Sequence, residues 1–461
     1  MAADIEQENA DVIVIGAGVA GLFAAVEAAE MDASVVLLES QPEIGGSSRL
    51  SGGYVTLCET ELEPGSRDEL LADLDEAHHH DSHFELSRVY TENSADTYLR
   101  LKDLGVEFIG TMHFSHMSKP WAHEPGGIGG GAELVLKLEK AAKRRGVKIL
   151  ASTRARRLVL NEQGRVTGVE VSQDGSINVL RARRAVVLTT GGFTRNPELI
   201  KEHGKAGAEK ITPLTGPGSL GDGLLMGRDI NAATTYLDIG VAPTGPVDPV
   251  MNAMSLVNYK GAILVNKNGQ RFCRESDVYL DLSWAGLKQP ETLMIQIYDA
   301  AIRRDYMQWK LAHVLGLCRE TKAGTLEELG AALHASHGVD AQGLRRTVAT
   351  YNRYVEAGRD PDFDRTHCVG TAGDLRPLLE PPFYAAVLVP GTTHFNGGLR
   401  VNRNMQVINA QGDIILGLYA AGEVTGGFHG AGYMSGSFLG SSLIFGRIAG
   451  KNAADEIARV V

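Results

Sequence analysis

A chain of 461 residues in which 43% of side chains are apolar and 22% charged is long enough for two or three domains and a large buried core. Its net charge of −11, with no cluster of Lys and Arg, excludes nucleic acid as a partner, because binding a polyanion requires clustered cations to displace counterions. The 55 glycines fit an α/β protein rich in tight turns and in close backbone approaches to a ligand.

In chain order, Met1 to Ala10 is acidic and lacks the basic start and apolar stretch of a secretory signal. Asp11 to Ile15 is the apolar run of a strand buried on both faces, followed by the turn Gly16-Ala-Gly18-Val-Ala20-Gly21 and a helix to about Met31. Val12 to Ala29 is apolar enough to suggest a membrane span, but three glycines and Glu27 interrupt it, so no membrane segment is expected. Ser34 to Leu38 is a second strand and ends in Glu39, 18 residues beyond Gly21, where a ribose-binding carboxylate belongs. Helical spacing of Leu70, Leu71, Leu74 and Ala77, then of Leu86, Val89, Tyr90, Ala95, Leu99 and Leu104, predicts helices between Ser66 and Gly105. His78, His79, His80 and His83 interrupt that region as a polar face or turn on the surface, and no metal site is expected there.

From Thr111 to Gly131 the pattern dissolves into His, Pro, Trp and Gly, the composition of an irregular loop containing His113, His116, Trp121 and His123. A helix from about Ala132 to Arg145, short strands between Val147 and Val171 and a buried strand from Ala185 to the glycine turn before Phe193 come next. Pro243, Pro246 and Pro249 mark a domain crossing. Residues 238–381 then read as an inserted α+β capping domain with a strand at Ala262 to Val265 and a helix capped by Asp340. Strands at Phe383 to Leu388, Leu399 to Asn402 and Leu418 to Ala421 are expected to return the chain to the first domain, which thus comprises residues 1–237 and 382–461. The four cysteines, Cys58, Cys273, Cys318 and Cys368, form no Cys-x-x-Cys pair, and a reducing cytoplasm is the expected location.

Gly16, Gly18 and Gly21 serve a tight turn, backbone approach to a pyrophosphate and close helix-on-strand packing, with the helix N-terminus offering free amides. A flavin is favoured over a nicotinamide because further small-residue turns follow: Gly45-Gly46-Ser47-Ser48, Ser51-Gly52-Gly53, and Ala421-Gly422-Glu423 after a late strand. The glycines at 126 to 131 have no expected strand before them, so no second dinucleotide unit is read, and electrons must be exchanged with a donor or acceptor outside the chain.

These motifs, together with Gly221-Asp222-Gly223, Gly261 to Phe272, His394-Phe395-Asn-Gly-Gly398 and Gly417 to Gly450, resemble the fumarate reductase/succinate dehydrogenase flavoprotein superfamily over nearly all of Asp11 to Ala454. The resemblance implies a Rossmann-type FAD-binding domain with an inserted mobile cap, and hydride exchange between the flavin and a substrate carbon. It also places Ala20, Ala155, Thr190, Gly191, Asp222, Phe395, Ser437, Phe438 and Leu439 beside the cofactor. The FAD is expected to be non-covalent, since no histidine lies between Gly46 and Gly53.

Members that act on fumarate grip two carboxylates with arginines and histidines. Here His394 keeps the place of a substrate histidine, but Tyr279 and Tyr433 stand where the two arginines would be. Ala242 replaces a histidine, and Met254-Ser255 replaces the start of a proton path. Without the paired hydrogen bonds of two guanidiniums, fumarate is expected to be a poor substrate. The tyrosines, with Ser435 and Gly436, resemble instead the 3-ketosteroid 4-ene (5α) dehydrogenases. In that pattern Tyr279, Tyr433 and Ser435 handle the α-proton, a backbone amide near Ser435 or Gly436 polarises the ketone, and His394 and His116 contact the substrate. The expected substrate is a small hydrophobic ketone or enone. Two other readings stay open: a reductase of another flat oxygenated ligand such as a plant phenolic, and a flavin electron-transfer subunit.

Overall fold

The computed structural model describes residues 9–114, 116–204, 207–239, 245–368 and 374–456. In chain order its elements are β1 (Asn9–Ile15), α1 (Val19–Glu30), β2 (Val35–Leu38), β3 (Val55–Thr56), α2 (Arg67–Ala77), α3 (Phe84–Glu92), α4 (Ser94–Asp103), β4 (Phe108–Met112), β5 (Ala122–Pro125) and α5 (Gly130–Arg144). There follow β6 (Lys148–Leu150), β7 (Arg154–Leu160), β8 (Val166–Gln173), β9 (Ser176–Leu188), α6 (Pro197–His203), β10 (Thr212–Pro213), α7 (Asp222–Asp229), β11 (Thr234–Thr235), β12 (Gly245–Asp248), β13 (Ala253–Met254) and β14 (Ile263–Val265). The remainder are α8 (Tyr279–Leu287), β15 (Met294–Tyr298), α9 (Ala300–Gln308), α10 (Lys310–Val314), β16 (Thr321–Ala323), α11 (Leu326–His337), α12 (Ala341–Glu356), β17 (Phe383–Thr392), β18 (Gly398–Leu399), β19 (Gln406–Ile408), β20 (Ile414–Ala420) and α13 (Ser437–Asp455). These residues fall into two compact units, one drawn from 1–205, 215–241 and 394–461 and the other from 206–214 and 242–393.

The first unit is built on a sheet ordered β19-β20-β9-β1-β2-β6, with β8 on β9 and β7 on β8. Strands β1, β2, β6, β9 and β20 run parallel where they pair, and Val12, Val14, Val35, Leu37, Val186 and Leu418 are buried on both faces, as continuous apolar runs require. Helix α13 crosses α1 closely because Gly446 and Gly450 carry no Cβ: one added at either would overlap the Ala20 or Ala24 carbonyl oxygen. The second unit has a sheet ordered β13-β12-β17-β15-β14, with β10 and β16 also on β17. Helix α12 starts at Asp340, whose carboxylate accepts from the Gln342 amide, as its position before Leu344 and Val348 predicts.

Four expectations are corrected. The stretch from 111 to 131 is not one irregular loop: β4 and β5 pair antiparallel and join β3 in a three-stranded sheet. Its residues show no apolar period because Trp121 and His123 are buried with polar partners, Trp121 on Asp73 at 2.6 Å and His123 on Thr60 at 2.7 Å. The glycines from 126 to 131 therefore do follow a strand, but an antiparallel one. They serve packing, since a Cβ at Gly131 would overlap Ser48 O and Ser51 Oγ, and one at Gly53 the Gly130 backbone. Phe383 to Leu388, expected in the first sheet, pairs with β15 in the second, because an apolar run specifies a strand and not its neighbour. Leu99 follows the helical period of its neighbours but is 57% exposed.

Candidate functional site

The turn after β1 has the form its glycines require. Gly16 has φ +105° and a Cβ there would lie 2.7 Å from the Thr189 carbonyl carbon, while a Cβ at Gly21 would overlap the Gly16 carbonyl oxygen and approach Thr189 Oγ1 at 2.5 Å. These two glycines bring α1 against the sheet. Gly18 differs, its nearest neighbour being Ser48 Oγ at 3.4 Å. The first amides of α1, including those of Ala20 and Gly21, precede the Leu22 N–H that opens the helical ladder by bonding to Gly18 O. Glu39 is buried at the end of β2 and accepts from the Ala17 amide at 3.0 Å through one oxygen and from the Gln41 amide at 2.8 Å through the other.

Gly45 and Gly46 both adopt positive φ, and the Gly45 amide bonds back to Ala17 O, which folds the second turn onto the first. Ser48 Oγ accepts from the Val19 amide, Ser51 Oγ donates to Ser48 O, and Ser47 Oγ meets Ser219 Oγ at 3.2 Å and accepts from the Gly216 amide. Gly52 and Gly53 continue this path to β3. Thr190 and Gly191 follow β9; the Thr190 hydroxyl is buried with no partner, a polar atom left for a ligand to satisfy. Glu423 accepts from the Phe395 amide at 3.0 Å, and burial raises its carboxyl to about 7. Phe395 itself packs on Phe193, ring centroids 4.0 Å apart. Asp222 is held by both nitrogens of the Arg154 fork, at 2.6 and 2.8 Å, and Ala155 is buried in β7. Bare turns, a buried carboxylate and helix-terminal amides suit the ribose, pyrophosphate and polar ring edge of a dinucleotide.

A second cluster surrounds Tyr433. The His394 ring lies 4.8 Å from it and 4.1 Å from Phe438, and His429 stacks on Phe438 at 3.7 Å and lies 6.0 Å from Tyr433. Burial depresses the His394 imidazole to about 3 and holds His429 well below the usual histidine range, so both are neutral. Ser435 O accepts from Thr56 Oγ1 at 2.7 Å, and Gly436, at φ +82°, forms the N-cap of α13, whose first turn carries Ser437, Phe438 and Leu439. Ser437 Oγ donates to Met434 O at 2.6 Å. His113 and His116 are exposed.

Sequence reasoning missed His78. Far from lying on a solvated face, its ring is fully buried against Phe428 at 5.2 Å and His429 at 5.3 Å, because the Tyr433 amide bonds to Ala77 O and Gly432 packs on the same carbonyl. His83 is also drawn in, its amide bonding to Gly427 O at 2.7 Å, while His79 and His80 stay exposed. Only the four-histidine run itself was a signal, and spacing does not tell which face of a turn is covered.

Burial lowers His78 to about 4. A histidine depressed from 6.5 in the folded state adds stability that is complete above the unfolded value and is lost as pH falls through the folded one. His78 alone thus accounts for about 3 kcal/mol between pH 6.5 and 4. We expect the urea midpoint to drop steeply over that interval and His78→Leu to flatten the drop; an unchanged slope would show that this ring is not buried neutral.

In the second unit, Tyr279 opens α8 four residues after Glu275. Glu275 is fully buried between Arg271, at 2.7 Å, and Arg365, at 3.3 Å. Ser255 donates to Gln296 Oε1 at 2.5 Å in the core and Met254 is buried beside it. Ala242 and Pro243 lie outside the described residues. Among the described residues no group of His, Cys, Asp and Glu is arranged to hold a metal, and no helix is long and apolar enough to cross a membrane.

Comparison with known proteins agrees with the geometry of the first turn. A family model described as FAD binding domain matches residues 11–439. The chain is similar to a fumarate reductase (cytochrome) of Shewanella frigidimarina, 31% identical over 98% of this chain and 78% of the relative. It is also similar to a vinyl phenol reductase of Lactiplantibacillus plantarum, 28% identical over 90% of each chain. Among solved structures it resembles the 3-ketosteroid Δ4-(5α)-dehydrogenase of Rhodococcus jostii in complex with 4-androstene-3,17-dione, with a TM-score of 0.73 and 26% identity over 98% of both chains.

Proposed function

The chain belongs to the FAD binding domain family of the fumarate reductase/succinate dehydrogenase flavoproteins and is an FAD-dependent oxidoreductase acting on carbon–carbon bonds; from that premise we propose that its substrate is a flat, uncharged molecule, a 3-ketosteroid-like ketone or enone, and not a dicarboxylate. The observation that carries this reading is the phenol of Tyr433 among uncharged rings, two of them imidazoles held neutral by burial. These neutral rings themselves offer a carboxylate no charge to offset its desolvation, whereas a ketone needs only a donor.

FAD, when bound, supplies hydride exchange with the substrate's β-carbon. Tyr433 takes the α-proton in dehydrogenation or gives it in reduction, and a first-turn amide of α13 near Ser435 and Gly436 polarises the ketone oxygen. His394 positions the substrate, and Tyr279 has a part in proton handling that Tyr279→Phe tests. We take the enzyme to be cytoplasmic, in keeping with its unpaired cysteines, and its electron donor or acceptor to be external to the chain.

A second reading, reduction of a vinyl group on a phenol, is favoured by the likeness to the vinyl phenol reductase over 90% of both chains. Anaerobic absorption of the yellow holoprotein separates the readings. We expect a saturated 5α-3-ketosteroid to bleach the flavin, or a 4-ene-3-ketosteroid to reoxidise the dithionite-reduced form, with fumarate inert. Reoxidation by 4-vinylphenol alone would move the assignment to the second reading, and rapid reoxidation by fumarate would overturn the charge argument.

A further inference from the structure

The peptide that joins Ser435 to Gly436 is gripped by a residue 379 positions earlier in the chain. Thr56 Oγ1 donates to Ser435 O at 2.7 Å and the Thr56 amide donates to Gly436 O at 3.3 Å, so one residue of β3 holds two successive carbonyls of the segment that opens α13. The approach is close. A Cβ on Gly436, whose φ is +82°, would lie 2.8 Å from Thr56 Oγ1, 3.1 Å from the Thr56 nitrogen and 3.2 Å from Tyr54 O, so the two backbones meet only because this residue is glycine.

Thr56 is itself fixed. It is fully buried, it pairs with Ala122 in the antiparallel ladder of β3 and β5, and the next residue, Leu57, donates to Trp121 O at 3.0 Å. The Tyr90 hydroxyl donates to Thr56 O, and the buried Tyr90 ring stacks on Phe428 at 4.9 Å and abuts α13 at Gly440, where a Cβ would overlap Tyr90 Oη. A β-branched side chain has few χ1 choices, so a buried threonine holds its hydroxyl in one place.

In a trans peptide the C=O and the N–H point in opposite directions across one plane. With Ser435 O turned to Thr56, the Gly436 N–H is turned away from it, and it donates to no group among the described residues. The next amide, that of Ser437, is spent on Met434 O at 3.1 Å. We infer that Thr56 is a positioning residue for the reaction: by anchoring Ser435 O it aims the Gly436 N–H at the substrate's ketone oxygen. The inference rests on the reading that the substrate carries a ketone at this place. As the α-proton leaves, negative charge builds on that oxygen, and a donor already aimed stabilises it without reorganising. Thr56, sealed from solvent, acts only through the peptide it holds.

The carbonyl stretch of a bound 4-ene-3-ketosteroid, labelled with heavy carbon at the ketone and read by difference infrared in oxidised holoenzyme, reports this hydrogen bond without turnover. It should be lowered in the wild type relative to an apolar solvent. Thr56→Val, which keeps the side chain's shape and deletes its hydroxyl, should return part of that shift, and Thr56→Ser should keep it. Tyr90→Phe, which releases Thr56 O, should return a smaller part, and it carries the test if Thr56→Val does not fold. Turnover of Thr56→Val should fall at least about ten-fold, short of the roughly 10²–10³-fold that loss of a whole oxyanion donor costs, while affinity for the ketone changes less than about three-fold. A stretch and a turnover rate left unchanged by Thr56→Val would overturn the inference. Equal effects of Thr56→Val and Thr56→Ser, or a loss confined to affinity, would overturn it too, by reducing Thr56 to a structural role. If the wild type binds the ketone without a lowered stretch, or does not bind it, the ketone reading itself falls.

Discussion

Tyr433→Phe is expected to lower turnover with the accepted ketone or enone by about 10²–10⁴-fold, the range supplied by one positioned acid or base, while flavin content and substrate affinity stay close to wild type. The change deletes a single oxygen and keeps the ring that packs 4.8 Å from His394 and 5.7 Å from Phe438, so the aromatic cluster and the start of α13 are preserved. The backbone is held independently of the phenol: the Tyr433 amide bonds to Ala77 O at 3.1 Å and Ser435 O to Thr56 Oγ1. Substrate titration of oxidised enzyme by difference absorption measures affinity, and stopped-flow bleaching measures the chemical step. A loss confined to the rate assigns the proton to Tyr433. A loss confined to affinity makes the phenol a binding group, and a larger rate loss in Tyr279→Phe would move the acid-base role to that residue.

The second large effect is on the cofactor. Gly21→Val is expected to remove bound flavin from the purified protein and to lower stability by at least about 1–3 kcal/mol, the cost of overpacking a rigid site. A Cβ there meets the Gly16 carbonyl oxygen, which is backbone, and Thr189 Oγ1, which is itself fixed by hydrogen bonds at 2.9 Å to Ile15 O and Gly16 O. Relief requires α1 to move off the sheet, which carries its amide terminus away from the turn. Gly146→Ala is the control: its φ is +76°, but a Cβ meets nothing within 4 Å, so only a backbone cost of about 1 kcal/mol is expected, with flavin retained. The visible-to-ultraviolet absorbance ratio and the thermal midpoint read both effects. Full flavin occupancy in Gly21→Val would show that this turn is not the cofactor's seat.

Local signals and distant ones separate cleanly along this chain. The buried parallel strands, the glycine turn with Glu39 at its proper distance, the helical period of α2 and the Asp340 cap of α12 were all legible in the sequence, because each depends on residues within a few turns of one another. The exposed face of Leu99 was not, since a periodic helix shows which residues share a side but not what covers it. The antiparallel sheet of β3, β4 and β5 escaped because its strands are short and its buried members, Trp121 and His123, are polar-tipped and satisfied by Asp73 and Thr60. At the candidate site the tyrosine, serine and glycine at 433 to 436 were readable as a motif. The histidine behind them was not, because His78 is more than 350 positions from His429 and meets it only when the 427–433 loop closes over the end of α2.

Taken by itself, the sequence determined the dinucleotide turn and the succession of strands and helices, since glycine stereochemistry and apolar periodicity act over a few residues. Only the tertiary structure decided that β17 belongs to the second sheet, that Gly130 and Gly131 pack against Ser48, Ser51 and Gly53, and that His78, His394 and His429 are stripped of solvent and held neutral. Strand partnership, close approach and desolvation are properties of surfaces brought together from distant parts of the chain, and no local pattern encodes which surfaces will meet.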